Sequence, residues 1–153
     1  MSVELMKKSI VEEKSYQFAK EIIKIYKQLR FDKEYKLSEQ LLACGTSIGA
    51  NVAEALAGQS KKDFISKMSI ASKEARETKY WLKLLRDSEI LDAYTCAELL
   101  SDADELSRIL TSIVKTSIEN NNSYSQKLII HTENNYANSK LKTQNSKLLA
   151  PAR

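Results

Sequence analysis

Proline occurs once in this chain, at position 151, and glycine three times, at 45, 49 and 58. A fold that reverses direction every few residues needs many more of both, so the chain is confined to a few long elements. Residues 1–119 contain no proline and no segment of strand period; their apolar residues recur at three- and four-residue spacing, the period of helices that bury one face.

Four such segments follow one another. The first is expected over about Ser9–Arg30, with Val11, Phe18, Ile22, Ile25 and Leu29 inward. Phe31-Asp32-Lys33-Glu34 breaks the pattern as a short connection, and a second helix over about Tyr35–Ala57 buries Leu37, Leu41, Cys44, Ile48 and Val52. Gly58 stops it as a C-terminal cap, and Ser60-Lys61-Lys62-Asp63 opens the third helix with an acidic variant of the capping box. That helix, about Lys61–Asp87, carries Phe64, Met68, Ala71, Ala75, Thr78, Leu82 and Leu85 in an unbroken 4-3-4-3-4-3 seam. Asp92 caps the fourth, about Ala93–Glu119, whose seam is Cys96, Leu99, Ala103, Leu106, Leu110 and Ile113. Long helices joined by loops of a few residues pack antiparallel to their neighbours. The expected fold is therefore all-α: an up-down-up-down four-helix bundle over 1–119.

From Asn120-Asn121-Asn122-Ser123 onward the chain is rich in Asn, Ser, Lys and Gln, and Asn-Ser-Lys-Leu occurs twice, at 138–141 and 145–148. So little apolar surface does not offset the entropy of ordering, and 120–153 is expected to be a polar, mostly disordered tail, with Leu128-Ile129-Ile130 as a transient docking segment. The net charge of +4 belongs to that tail, which has five basic residues against one acidic; the bundle has nineteen of each. Overall charge therefore says little about nucleic acid, and only a local patch would bear on it.

Several function classes drop out. The only histidine is His131, in the tail, which removes Glu-x-x-His di-iron sites and His-dependent triads. Gly45-Thr46-Ser47-Ile48-Gly49-Ala50-Asn51 lacks the lysine and the preceding strand of a phosphate loop; two glycines four apart inside a helix instead let a neighbouring helix come close. Cys44 and Cys96 have no metal or redox spacing and read as buried thiols of a reducing cytoplasm. No apolar run follows Lys7-Lys8, so no signal peptide is expected. The most apolar window, Leu41 to Gly58, contains Asn51 and Glu54, which argues against a membrane span. The expectation is a cytoplasmic protein that is not an enzyme, with no cofactor, metal or membrane partner.

What remains is charge and exposed apolar surface. Arg76, Lys79, Lys83 and Arg86 are spaced 3, 4 and 3, and Lys62 extends this basic stripe of the third helix. Glu98, Asp102 and Glu105 form an acidic counterpart on the fourth, and Lys20, Lys24 and Lys27 a second basic row on the first. Three readings stay open: solvated ion pairs worth little each, a head-to-tail contact between copies that closes into a ring, or a phosphate-binding face. Ile70, Trp81 and Leu84 lie outside the core seam and suggest an oligomer contact, while Tyr80 beside the stripe suits base stacking. Asn51 and Glu54 adjoin the core face of the second helix. They are expected to bond across to Glu74, Glu77 or a basic residue of the third, fixing register or subunit pairing.

Leu37-Ser38-Glu39-Gln40-Leu41 and Thr46-Ser47-Ile48-Gly49-Ala50-Asn51-Val52-Ala53-Glu54-Ala55 resemble a Gln-Leu…Ser-Ile-x-x-Asn-Ile-Ala-Glu-Gly signature. Ser60-Lys61-Lys62-Asp63-Phe64 and Ala71-Ser72-Lys73-Glu74-Ala75-Arg76-Glu77-Thr78 resemble its Ser-x-x-Glu-Phe and Ala-x-x-Glu-x-x-Glu portions. The signature is that of the four-helix-bundle proteins encoded in 23S ribosomal RNA intervening sequences, to which the accessory variability protein of diversity-generating retroelements is related. The resemblance covers about 15–119 and is most specific across 37–85. It implies a homopentameric ring of bundles associated with nucleic acid, and it places Asn51, Glu54, Glu74 and Glu77 on motif positions. Ala55 replaces the family's common glycine, and Leu42-Ala43 stands where the family usually has an arginine; the lost arginine shifts the weight for RNA contact to the third helix.

Overall fold

The computed structural model describes the backbone of residues 3–148 and the side chains of residues 10–132. Four helices follow in order: α1 (Val3–Phe31), α2 (Tyr35–Ala57), α3 (Lys61–Asp87) and α4 (Ala93–Leu148). The chain divides into two compact units, Met1–Ser117 and Ile118–Arg153. The first is an antiparallel up-down-up-down bundle, as the short connections require. α1 begins at Val3 rather than Ser9, because Glu4, Leu5, Met6 and Lys7 are good helix formers with no breaker among them.

The apolar seams converge as their spacing dictates. Val11, Phe18, Ile22 and Leu29 of α1, Leu41, Ile48 and Val52 of α2, Met68, Ala75 and Leu82 of α3, and Cys96, Leu106 and Leu110 of α4 form one buried cluster. Leu37 and Phe64, at helix ends, are only half-buried against it. Truncating a residue such as Leu82 or Leu110 removes about 2–5 kcal/mol. Polar residues in the core are satisfied locally: the Ser15, Ser38 and Thr78 hydroxyls donate to the carbonyls of Glu12, Tyr35 and Glu74.

The glycines of α2 set the α1–α2 distance. A Cβ at Gly45 would meet Ile22 Cγ1 at 2.8 Å, and one at Gly49 would meet the Ser15 carbonyl oxygen at 3.3 Å.

Helix starts follow the sequence. Ser60 Oγ accepts from the Asp63 amide at 3.0 Å, and Asp92 Oδ1 from the Thr95 amide at 2.8 Å. The ends of α2 and α3, Ala57 and Asp87, also fall where expected and α1 ends one residue later, at Phe31, whereas α4 runs past the expected Glu119; how the ends close differs from the sequence reading. Gly58 has φ −63° and ψ 143°, so it stops α2 with extended backbone. Left-handed residues occur instead at Lys33 (φ 66°) and Glu89 (φ 58°). Each completes a Schellman closure: Glu34 N–H donates to Leu29 O and Lys33 N–H to Arg30 O, and Ile90 N–H donates to Leu85 O and Glu89 N–H to Arg86 O.

In the second unit the α4 backbone stays helical to Leu148. None of residues 118–132 is buried, and all but Asn121 are exposed. The feature behind the expected disordered tail is thus present: no apolar burial offsets the ordering of this segment. Residues 149–153 lie outside the described residues.

Candidate functional site

α3 divides its surface between two kinds of charge. Lys79 is half-buried and pairs with Asp104 of α4, which also accepts from Arg108 Nη1 at 2.5 Å. The Lys79 ammonium, then Arg108 and Lys83, hold the Asp104 carboxyl below the usual aspartate range. Arg86 bonds its own neighbour, Nε to Asp87 Oδ1 at 2.8 Å, which pushes its guanidinium further up. Lys62, Arg76 and Lys83 stand exposed. The basic stripe is therefore split, with two members engaged inside the subunit and three directed outward.

The acidic set lies on the other flank of α4, toward α1. Glu105 Oε2 takes Lys14 Nζ at 2.9 Å, while Glu98 and Asp102 are exposed. Partial desolvation, then the neighbouring charges of Glu105, Glu98 and Glu21, raise the Asp102 carboxyl above its ordinary value. α4 thus has one carboxylate, Asp104, serving α3 and a crowded, under-compensated group facing α1. Sequence spacing identified Glu98, Asp102 and Glu105 but missed Asp104, which sits off that row beside Lys79.

The motif residues are arranged across α2 and α3. Asn51 Nδ2 donates back to the Ser47 carbonyl of its own helix at 2.9 Å. Glu54 pairs with Lys67, a basic residue of α3, rather than with a carboxylate. Glu74 is half-buried, and burial followed by the Glu77 charge raises its carboxyl. Beneath them burial pushes the Cys44 thiol up, so Cys44 behaves as an inert packing group. Glu77 Oε1 accepts from the Trp81 indole N–H at 3.3 Å.

Of the residues expected at a contact, Ile70 is half-buried and Leu84 is 37% exposed. Trp81 is half-buried, packs on the core and meets Tyr80 edge-on with centroids 5.1 Å apart. Its reach across the bundle surface explains a burial that the heptad seam did not assign. Between α1 and α2 lies an open groove of about 530 Å³, lined by Glu12, Tyr16, Gly49, Ala50 and Ala53 among others. Its signal in the sequence is the run of small residues on the outer face of α2. Among the described residues no group of His, Cys, Asp and Glu is placed to hold a metal ion, and no helix is long and apolar enough to cross a membrane.

Residues 7–112, more than half of the chain, match the family model described as 23S rRNA-intervening sequence protein. The chain belongs to the 23S rRNA-intervening sequence protein family. A similar solved structure is the crystal structure of a protein with unknown function from the S23 ribosomal protein family of Bacteroides thetaiotaomicron VPI-5482. The two share 43% identity over 71% of this chain and 98% of that one, with a TM-score of 0.69. No curated protein matches. The family match ends before the second unit begins at Ile118, so the shared part is the bundle.

Proposed function

We propose that this 23S rRNA-intervening sequence protein is a non-catalytic, cytoplasmic homo-oligomer, a ring of five bundles, that associates with RNA through its α3 face. The observation that carries this reading is the outward set Lys62, Arg76 and Lys83, left exposed on one helix of an otherwise charge-balanced bundle. Phosphates are the natural counter-charge for such a row, and Tyr80, 59% exposed beside it, offers a ring for an adjoining base. The family's name ties its members to a ribosomal RNA gene, which agrees with an RNA partner.

A second reading has its own observation. The crowded Glu98–Asp102–Glu105 group on the α1-facing flank of α4 has Lys14 as its cation, and desolvation followed by the Glu105 charge still raises the Asp102 carboxyl. The α3 row of a neighbouring copy would supply further cations, which makes the bundle a protein assembly module without RNA. A contact between two different faces repeats head to tail and closes when the rotation allows.

Reversing charge with Arg76→Glu and Lys83→Glu separates the two. RNA affinity falls while the mass by light scattering is unchanged if the row binds phosphate. The oligomer falls apart if the row is the contact between copies. A protein that is monomeric at high micromolar concentration contradicts the ring in either form.

A further inference from the structure

The hairpin tip between α1 and α2 carries aromatic and basic side chains that no packing need explains. Phe31, the last residue of α1, is 88% exposed, the highest value among the exposed large apolar residues that the structure describes. Tyr35, the first residue of α2, is 47% exposed. Between them Arg30 spans the turn. Its guanidinium carbon lies 5.8 Å from the Tyr26 ring centre and 5.0 Å from that of Tyr35, and its Nη1 reaches Glu39 Oε1 at 3.4 Å. The two rings and Glu39 thus meet a cation that is still exposed. Lys27, Lys33 and Lys36 lie near it in sequence, so residues 26–36 carry four basic side chains against Asp32 and Glu34, with Glu39 a third carboxylate at the Arg30 guanidinium.

We propose that this tip is a binding site for unpaired nucleotides, with a base stacked on Phe31 and its flanking phosphates held by Arg30 and the nearby lysines. The inference rests on the RNA association proposed above and names a site for it distinct from the α3 row. Aromatic faces accept any base, and cations at their edges take the backbone, which is how single strands are held without regard to sequence. A duplex keeps its bases stacked on one another and has none to offer. Exposure alone does not pick the tip, because Tyr94, at the α3–α4 hairpin, is 73% exposed. Charge does: Tyr94 hydrogen-bonds Glu98, and Asp92 and Glu89 are close in sequence, a setting that repels phosphate. A contact with another protein would be the alternative use of Phe31; four basic residues at an eleven-residue tip favour the polyanion.

The test uses the full chain and short oligo-uridylates bearing one 2-aminopurine, in ribose and deoxyribose form, beside an RNA duplex of equal length. Stacking quenches the 2-aminopurine emission. Phe31→Ala is expected to abolish the quenching and weaken single-strand binding about tenfold, with Tyr35→Ala intermediate and Tyr94→Ala unchanged. Quenching with either sugar supports the site. Binding of duplex without single strand overturns it and leaves the α3 reading standing, whereas failure to bind any RNA ends both. If Phe31→Ala shifts the mass by light scattering and leaves binding intact, the tip is a contact between copies and the proposal is wrong.

Discussion

Gly45 of α2 faces Ile22 of α1 so closely that a methyl group at position 45 would stand 2.8 Å from Ile22 Cγ1. The atom it meets is near the backbone, and Ile22 is fully buried, so it has little room to yield. Overpacking of this kind costs about 1–3 kcal/mol, against about 1 kcal/mol gained from the better helix propensity of alanine. Gly45→Ala should therefore lower stability by about 1 kcal/mol in urea denaturation. In an Ile22→Ala background the added methyl has space, and the same change should become neutral or stabilising.

Lys33 and Glu89 hold the left-handed position of two helix ends, a conformation that costs a side chain about 1–2 kcal/mol and glycine almost nothing. Lys33→Gly and Glu89→Gly should each raise the melting temperature, by roughly 0.5–1.5 kcal/mol of stability after the entropy of a more flexible unfolded chain is counted. Asp32→Gly, one residue away, lacks that relief and should destabilise.

Asp102 and Asp104 titrate in opposite senses. Asp102 is raised, first by desolvation and then by Glu105, so the folded bundle holds its proton more tightly than the unfolded chain does. Its ionisation detracts from stability above the carboxylate range, and that loss is relieved as pH falls through the raised value. Asp104 is held low, first by Lys79, so it adds stability above the ordinary aspartate pKa, and this is lost as pH falls through the depressed value. At neutral pH Asp102→Asn should stabilise and Asp104→Asn destabilise. Well below the carboxylate range both differences should shrink toward zero, which chemical denaturation at the two pH values will check.

From Ile118 to Thr132 α4 has no buried side chain, so only local propensity holds the helix there, and a polar segment of that length is marginal alone in water. Amide hydrogen exchange should be fast across 118–132 and slow at the amides of Leu106 and Leu110, which are fully or almost fully buried. A chain ending at Ser117 should melt at the same temperature as the whole protein, with a smaller helical signal.

The bundle was readable because its apolar residues keep one spacing: Met68 to Leu85 and Cys96 to Ile113 alternate by three and four without a break, and each is buried. The ends of α1 and α3 were readable to within a residue, but their left-handed closures at Lys33 and Glu89 were not, because a left-handed residue other than glycine leaves no mark in composition. Charged partners were legible as rows but not as pairs. Lys79 was found by its spacing, yet Asp104 opposite it belongs to no row, and Lys67, the partner of Glu54, is likewise off the stripe. The aromatic tip escaped because Tyr26, Arg30 and Tyr35 come together only once the turn is closed.

The salt dependence of RNA binding by the intact protein tests the account most directly. A face that engages phosphates through Arg76 and Lys83 predicts a log–log slope that is steeply negative and becomes shallower by about one for each of these residues replaced by alanine. Affinity that is undetectable at low salt, or a slope that both replacements leave unaltered, would contradict it.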